Sequence, residues 1–438
     1  MRSLSTVLTR LATAAVIGAL ALLAAAPAAS AAGPALVKDI NPNGSSNPSH
    51  LTAVGSTLFF AANDGVHGNE LWKSDGTYAG TKMVKNIRPL AKSSDPQNLV
   101  NVNGTLFFTA NDGTHGRELW KSNGTAAGTK MVKDIVPQCS GGYGCVGGLL
   151  ISVPPVAVGS RVFFINDYCC VGTSALYVSD GTTTGTRRLA MDLPVSTTFG
   201  AAASYNGKFY FAAYTGWDHA SVWVSNGTRA GTFDLEAAAG DDITCLPVSG
   251  QSLYFATWDW YATEVDVQLW KTDGTAAGTK MLTAEGALAD VPLEAALMNG
   301  RLYFHGGGLW KSDGTVNGTK KISDGEASWL TSAGGKLYFA RDTHLWRSNG
   351  TALGTVDIGQ FGPYGARQLI SVGSEFCFVA LNDPTWAPWE SDGTALGTYE
   401  VMTFVGAPAE VQQAAIGTRL FFGANDGVKG TELWSYTP

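Results

Sequence analysis

The sequence is built on one motif, which first appears complete at residues 70–81 as Glu-Leu-Trp-Lys-Ser-Asp-Gly-Thr-Tyr-Ala-Gly-Thr. Eight copies keep an aromatic residue followed by the polar turn Ser/Thr-Asp/Asn-Gly-Thr-x-x-Gly-Thr, and a ninth copy begins at Glu432. The aromatic residues of the eight complete copies are Trp72, Trp120, Tyr177, Trp223, Trp270, Trp310, Trp346 and Trp389. Repeats at this spacing are typical of β-propellers and solenoids.

The motif resembles that of the bacterial ELWxxDGT-repeat proteins, and the resemblance covers nearly all of the chain after its N-terminal segment. It implies a secreted bacterial protein made of tandem β repeats. The family has no well-defined general activity, so the resemblance implies no catalytic residues.

Each repeat unit predicts four short strands, because aromatic and β-branched residues alternate with Gly and Asn turns. In the first unit we expect the strands at 51–54, 57–61, 70–74 and 81–87. Asn-Gly pairs are favoured in type I′ hairpin turns, where both central residues take positive φ. Such pairs join the first and second strands at Asn103-Gly104, Asn206-Gly207 and Asn299-Gly300.

The two ends of the chain complement each other. Residues 35–40 match a fourth strand that has no third strand before it, while the C-terminus supplies a first, second and third strand without a fourth. Pairing the ends in one blade would close a ring and remove two exposed sheet edges. The sequence therefore predicts an all-β fold, a single β-propeller of nine four-stranded blades over residues 32–438. An open solenoid is the alternative, and it would not explain the complementary ends.

Residues 1–31 have the features of a cleaved secretory signal peptide. Arg2 and Arg10 form the basic n-region, Leu11 to Ala24 form the apolar stretch, and Ala29-Ser30-Ala31 forms a small-residue cleavage site. A membrane anchor is the alternative, but the apolar stretch is short and rich in Ala. We expect an extracellular protein with no membrane span in the mature chain. Its net charge of −7 becomes about −9 without the two arginines, which disfavours nucleic acid as a partner.

The Asp-Gly turn of the motif allows two interpretations, a metal site or a structural turn. Asp75 is replaced by Asn at the equivalent positions Asn123, Asn226 and Asn349. Either side chain accepts backbone N–H bonds in an Asx turn, whereas loss of the carboxylate weakens a site for a hard cation. We therefore predict a structural turn, no metal and no cofactor, with the motif Trp packing between blades.

Signatures of catalysis are otherwise missing from the sequence, which has no His-Glu-x-x-His, no phosphate loop and no nucleophile elbow. His67 and His115 occupy equivalent positions in adjacent units, each after Asn-Asp-Gly. A two-His metal site is one interpretation, and a pair of surface turns is the preferred one. The pattern favours a binding protein over an enzyme.

The connection between the second and third strands varies most among the units. It is cut to a bare turn within 304–310 and 339–346, which predicts a notch in one rim of the ring. Nearby loops place aromatic rings beside carboxylates, a combination that suits sugars. We predict ligand binding by Trp217, Asp218, Trp258, Asp259, Trp260, Tyr261 and Trp386. The alternative is that these rings cover apolar surface at the bases of the loops.

The sequence thus predicts a secreted, monomeric binding module, with an extracellular carbohydrate as the first-choice ligand. A protein partner in the cell envelope comes second. A glycan hydrolase or lyase comes third, with Asp218 and Asp259 as the paired acids.

The cysteines predict two disulfides, since an exported protein meets an oxidising environment. We expect Cys139 and Cys145, in the long insertion after Ile135, to pair with Cys169 and Cys170 in unassigned order. The alternative is a local Cys139–Cys145 bond with a vicinal Cys169–Cys170 bond, and non-reducing peptide mapping distinguishes the two. Cys245 and Cys377 lie in different units, and we expect both to be free and buried.

Overall fold

The structure is a computed structural model that describes residues 33–136, 148–151, 153–168, 173–193, 202–214, 220–240, 242–245, 252–259, 266–292, 294–406 and 411–438. These residues form strands, turns and loops, with no helix among them. Accordingly, no helix in the described ranges has the length and hydropathy needed to cross a bilayer.

The strands follow in chain order, beginning with β1 (Ala35–Lys38). Blades 1 to 4 contain β2 (Ser49–Val54), β3 (Thr57–Asn63), β4 (Asn69–Ser74), β5 (Lys82–Lys85); β6 (Gln97–Val102), β7 (Thr105–Asn111), β8 (Arg117–Ser122), β9 (Lys130–Lys133); β10 (Val156–Val158), β11 (Arg161–Tyr168), β12 (Thr173–Ser179), β13 (Arg187–Leu193); β14 (Ala202–Tyr205), β15 (Lys208–Tyr214), β16 (Ala220–Ser225) and β17 (Thr232–Gly240).

Blades 5 to 8 contain β18 (Asp242–Cys245), β19 (Leu253–Asp259), β20 (Asp266–Thr272), β21 (Lys280–Met281); β22 (Ala295–Met298), β23 (Arg301–His305), β24 (Leu309–Ser312), β25 (Lys320–Ser323); β26 (Ser328–Ala333), β27 (Lys336–Arg341), β28 (His344–Ser348), β29 (Thr355–Gln360); β30 (Ala366–Val372), β31 (Glu375–Asn382), β32 (Thr385–Ser391), β33 (Thr398–Glu400) and β34 (Phe404–Val405). Blade 9 contains β35 (Gln413–Ile416), β36 (Arg419–Asn425) and β37 (Thr431–Tyr436).

The strands form nine antiparallel sheets, which are the blades of a nine-bladed β-propeller, as the sequence predicts. The strands of each blade pair in chain order, and in blade 8 both β33 and β34 pair with β32, so the fourth strand is interrupted. Ring closure is also confirmed. β1 completes blade 9 by pairing with β37, which places Leu36 opposite Trp434.

Asn-Gly pairs form the tight turns of several hairpins between first and second strands. In the Asn-Gly turns both residues have positive φ, as at Asn103 (49°) and Gly104 (83°), the conformation that a type I′ turn needs. The fourth strand of blade 1 is shorter than we expect from the sequence and ends at Lys85. Its chain leaves the sheet there because the N–H of Ile87 donates to the carboxylate of Glu70 instead.

Neighbouring blades are joined by the motif residues. Trp120 of blade 2 packs in a buried cluster with Phe59, Leu71 and Val84 of blade 1, which agrees with the inter-blade role predicted for the motif Trp. Phe59 also reaches the equivalent Asn123-Gly124 turn of blade 2, where a Cβ added at Gly124 would lie 3.2 Å from its Cζ atom. The turn therefore requires Gly both for its φ of +82° and for this close approach.

The Asp-Gly turn is held by its own side chains. Asp75 Oδ1 accepts hydrogen bonds from the N–H and the hydroxyl of Thr77, at 2.9 and 2.7 Å. Asn123 makes the same two bonds with Thr125, at 3.1 and 2.8 Å. Because Asp and Asn accept the same two hydrogen bonds, the side chain at this position stabilises the turn, which is the structural role predicted for it.

Candidate functional site

One face of the ring carries both the connections between second and third strands and the connections between blades. We call it the loop face. Its two kinds of connection touch, since Glu70 at the start of β4 bonds to Ile87, Arg88 and Ser94 in the segment that leads to blade 2. The contact places the connections between second and third strands, whose length varies among the units, on the same face as the connections between blades.

Buried glutamates fasten the blade connections on the loop face of blades 9, 1 and 2. Each is the Glu of the motif, and each accepts backbone N–H bonds from the segment entering the next blade. Glu118, for example, accepts from Ile135 at 2.8 Å and Val136 at 3.1 Å. Burial raises the pKa of Glu70 and Glu432, and raises that of Glu118 to about 7.

Sequence reasoning missed this role, although a signal was present. Glu occupies this position in the three units whose loop begins Asn-Asp-Gly, and the other units have Ala, Ser, Gln, Gly or His there. These three units are consecutive around the closed ring, because β1 completes blade 9 beside blade 1.

Glu432 differs from the other two glutamates because it joins the two ends of the chain. Its carboxylate accepts hydrogen bonds from the N–H groups of Ile40, Asn41 and Ser46 and from the Ser46 hydroxyl. Lys429 adds an ion pair with Asp39 at 2.8 Å. The N-terminal segment is thereby fixed across the loop face of blade 9.

The two equivalent histidines each pair within their own loop. The Nδ1 atom of His67 lies 2.7 Å from Asp64 Oδ2, and that of His115 lies 2.8 Å from Asp112 Oδ2. The bond to Asp112 raises the pKa of His115. Both rings act as turn partners, which is the interpretation that the sequence favours.

A cavity of about 510 Å³ opens on the loop face where blades 8 and 9 meet the N-terminal segment. Its volume lies in the range of ligand pockets, about 300–1,000 Å³. The described residues that line it come from six separate stretches of chain. They are Asn47, Pro48, Ser49, Trp386, Val405, Gly406, Val411, Gln412, Gly423, Ala424, Asn425 and Thr431. We call it the junction cavity.

The junction cavity offers fixed hydrogen-bond donors and no ionised group among the described residues of its lining. Gln412 Oε1 accepts from the N–H of His50 at 3.1 Å, and Asn425 Oδ1 accepts from that of Gly427 at 2.8 Å. Each bond anchors the carboxamide through its oxygen. The NH₂ groups of both side chains make no hydrogen bond to protein in the described ranges, so they are available to a ligand.

Trp386 is the predicted site residue that the structure places at the junction cavity, but its ring is not exposed as expected. Its exposed fraction is 2%, because the indole stacks on Phe404 at 5.1 Å and meets Phe422 edge-on at 6.1 Å. It forms part of the wall instead of a stacking platform.

Trp258 corrects the same expectation. It is 5% exposed and belongs to a core cluster with Val267, Leu288 and Phe304, so the alternative of a packing role holds for both rings. Asp259, the last residue of β19, is half-buried opposite Asp266. Blade 5 is not adjacent to blade 8, and the structure does not bring Trp258 and Asp259 to the junction cavity.

The other predicted site residues lie outside the described residues. They are Trp217, Asp218, Trp260, Tyr261, Cys139, Cys145, Cys169 and Cys170. Their predicted roles in binding and in disulfides remain predictions.

Cys377 is free and buried, as predicted, and burial raises the pKa of its thiol. It replaces the aromatic residue that contacts the next blade's Asp-Gly turn elsewhere. Blade 9 has no such turn, and Tyr436 occupies the same buried cluster as Cys377. The Tyr436 hydroxyl donates to Glu390 of blade 8, so the seam between blades 8 and 9 has its own polar contact.

A second, smaller cavity of about 180 Å³ lies on blade 8. Its lining comprises Gly362, Ala380, Asn382, Thr385, Trp386, Ala387, Trp389, Glu400 and Thr403. We call it the outer cavity. It shares Trp386 with the junction cavity, and it contains one carboxylate.

Comparison with known proteins finds remote structural similarity alone. No family model matches the chain, and no curated protein matches it. The computationally designed Ika8 protein is 14% identical with a TM-score of 0.46, over 79% of this chain and 97% of that one. Saccharomyces cerevisiae Sqt1 is 9% identical with a TM-score of 0.47, over 79% and 97%.

An oligogalacturonate lyase in complex with manganese is 12% identical with a TM-score of 0.42, over 90% of this chain and 89% of that one. At these identities and scores, none of the three carries an argument about function.

Proposed function

We propose that the protein is an exported β-propeller that binds a neutral carbohydrate in the junction cavity without turning it over. The observation that carries this proposal is the lining itself. Two carboxamides are anchored through their oxygens, and their NH₂ groups stand beside hydroxyl and apolar residues with no ionised side chain among the described ones.

The chemistry of such a lining matches sugars better than charged ligands. A sugar hydroxyl accepts from an amide NH₂, and the C–H faces of the ring pack on apolar groups such as Pro48, Val405 and Val411. A phosphate or a carboxylate would instead need a cation or a set of N–H groups to offset its desolvation.

Binding without hydrolysis is favoured because glycosidases generally use two carboxyl groups on either side of the scissile bond. The described lining of the junction cavity offers no such pair. The acids predicted from the sequence, Asp218 and Asp259, belong to blades 4 and 5 by chain order.

Export remains part of the proposal on sequence grounds. It rests on the signal-peptide features of residues 1–31 and on the resemblance to ELWxxDGT-repeat proteins. Amino-terminal sequencing of the protein from culture medium tests it, and a mature chain that begins near Ala32 is the expected result.

The test of binding removes one donor and keeps the fold. Asn425→Asp retains the oxygen that accepts from Gly427 but loses the NH₂ donor, and Gln412→Glu does the same beside His50. Asn63→Asp is the matched control, because Asn63 Oδ1 accepts from Gly65 at 2.8 Å in the equivalent turn of blade 1.

We expect titration calorimetry with neutral gluco-, manno- and chito-oligosaccharides to identify one series that binds the parent protein. Asn425→Asp and Gln412→Glu should each weaken binding about tenfold, the equivalent of 1.4 kcal/mol, and Asn63→Asp should not. Absence of binding by every series, or equal binding by all variants, would overturn the proposal.

A protein partner in the cell envelope is the second candidate, and one observation favours it. Leu353 and Leu396 are each 98% exposed at equivalent turn tips of the adjacent blades 7 and 8, whereas that position holds Ala, Thr or Asn in the other units. Exposed apolar groups in register often mark interaction sites. Cross-linking to envelope fractions that Leu353→Ser with Leu396→Ser abolishes would support this candidate.

A further inference from the structure

The two cavities lie on opposite faces of the same sheet. Along β32 the side chains alternate. Trp389 packs toward blade 7, where it meets Phe361 at 5.1 Å. Trp386 packs toward blade 9, where it meets Phe422. The junction cavity and the outer cavity are therefore separated by the thickness of blade 8, and they share Trp386 at that boundary.

The boundary is narrow on the loop face. In blade 8, Asn382 pairs with Thr385, which leaves only Asp383 and Pro384 to form the turn. In blade 1 the ladder ends one pair earlier, at Asn63 with Asn69, and five residues lie between them. All three residues from Asn382 to Pro384 are exposed. A ligand can cross blade 8 by passing over a two-residue tip.

Both cavities can bind hydroxyl groups, but the junction cavity does so with hydrogen-bond donors and the outer cavity with an acceptor. The junction cavity presents NH₂ donors from Gln412 and Asn425. The outer cavity presents the exposed Glu400, whose Oε1 accepts from the hydroxyl of Thr403. A sugar hydroxyl both accepts and donates, so one chain of sugar units satisfies donors at one end and a carboxylate acceptor at the other.

We propose that the two cavities are subsites of one binding surface, occupied by a linear neutral oligosaccharide that crosses the hairpin at Asn382–Thr385. This inference rests on the proposed function, because it takes the same ligand class in the junction cavity. It adds a preference for chain length. The terminal units occupy the junction cavity, and further units reach the outer cavity.

The experiment measures affinity against chain length for the oligosaccharide series that binds, from two to six units. We expect the affinity of the parent protein to rise by about tenfold once the chain spans both subsites, which corresponds to about 1.4 kcal/mol from one or two added hydrogen bonds. Glu400→Gln keeps an oxygen for Thr403 but removes the charged acceptor, so it should reduce that rise and leave the shortest binding oligosaccharide unaffected.

Two further variants separate the possible failures. Glu326→Gln, at an exposed position in the connection from blade 6 to blade 7, is the charge-matched control and should change nothing. Asn425→Asp should weaken every chain length equally.

If Asn425→Asp weakens binding but affinity is independent of length, or if Glu400→Gln affects all lengths alike, the subsite inference is wrong and the proposed function stands. If no oligosaccharide binds, both are wrong.

Discussion

The carboxylate of Glu432 is the contact whose removal tests the closure of the ring most directly. It accepts from Ile40 N at 2.9 Å, Asn41 N at 3.3 Å, Ser46 N at 3.0 Å and Ser46 Oγ at 2.6 Å. Glu432→Ala leaves the buried N–H groups of Ile40 and Asn41 without an acceptor, whereas the N–H and hydroxyl of Ser46 keep the Thr431 carbonyl.

The expected cost follows from these bonds. A buried donor without an acceptor costs about 1–3 kcal/mol. Water entering the space left by the side chain offsets part of this, as does relief of the burial that raises the pKa of Glu432. With two such donors, we therefore expect Glu432→Ala to lower the free energy of unfolding by about 2–4 kcal/mol.

Glu70→Ala is the matched variant. Glu70 makes the same four kinds of bond, at 2.7–3.2 Å, but to residues only 17 to 24 positions away. The loss of stability should be similar. The region that opens should differ, because the partners of Glu70 remain tethered to blade 1 through the chain.

Urea denaturation measures the free energies, and hydrogen exchange locates the opening. In Glu432→Ala we expect the amides of residues 35–46 to lose protection while blade 1 keeps its own. In Glu70→Ala we expect the loss at residues 86–95. A change below about 1 kcal/mol in Glu432→Ala, within the effect of an ordinary surface substitution, would refute the reasoning, as would full protection of residues 35–46.

Four further variants test the packing and the electrostatics. Gly76→Ala should cost about 2–3 kcal/mol in urea denaturation, because φ is +86° and the new Cβ would overlap the Arg419 guanidinium and lie 3.3 Å from Phe421 Cζ. Gly55→Ala, with φ of +61° and open space around it, should cost about 1 kcal/mol. Trp258→Ala should cost about 3–5 kcal/mol by thermal or urea unfolding because the ring is buried, and an unchanged stability would contradict its place in the core. Glu118 has its pKa raised to about 7 by burial, so the folded state holds its proton better than the unfolded state. Unfolding free energy should therefore fall by about 1.4 kcal/mol from pH 6 to pH 8, and Glu118→Gln should lose that component of the slope.

The fold could be predicted from the sequence because each copy of the repeat corresponds to one structural unit. Nine copies of one pattern define nine blades, and the missing strands at the two ends define the partners in the closing blade. The structure shows this pairing directly, with Leu36 of β1 opposite Trp434 of β37. Even the replacement of a strand aromatic by Cys377 points to a position where the neighbouring blade is different.

The candidate site could not be predicted in the same way. Trp258 and Trp386 occur beside polar loops, but sequence position does not tell which way a ring turns, and both turn into the core. The junction cavity has no motif, because Asn47, Gln412 and Asn425 are brought together only when the ring closes. Nor does the sequence show that His50 takes a φ of 55° and directs its N–H to Gln412.

The pairing of β1 with β37 also means that the ring can close only after β37 has been synthesised. A ribosome produces residues 35–38 long before residues 431–436, so the closing strand stays unpaired until β37 has been synthesised. The Glu432 contact spans 392 positions against 17 for the Glu70 contact, which makes its loop closure costlier by about 3 kcal/mol in entropy. A product truncated before Thr431 would keep blades 1 to 8 but lack β37, the Glu432 carboxylate and Thr431 of the junction cavity. Truncated molecules would thus present two open sheet edges, which promote aggregation, and the proposed binding surface would form only in molecules that contain β37.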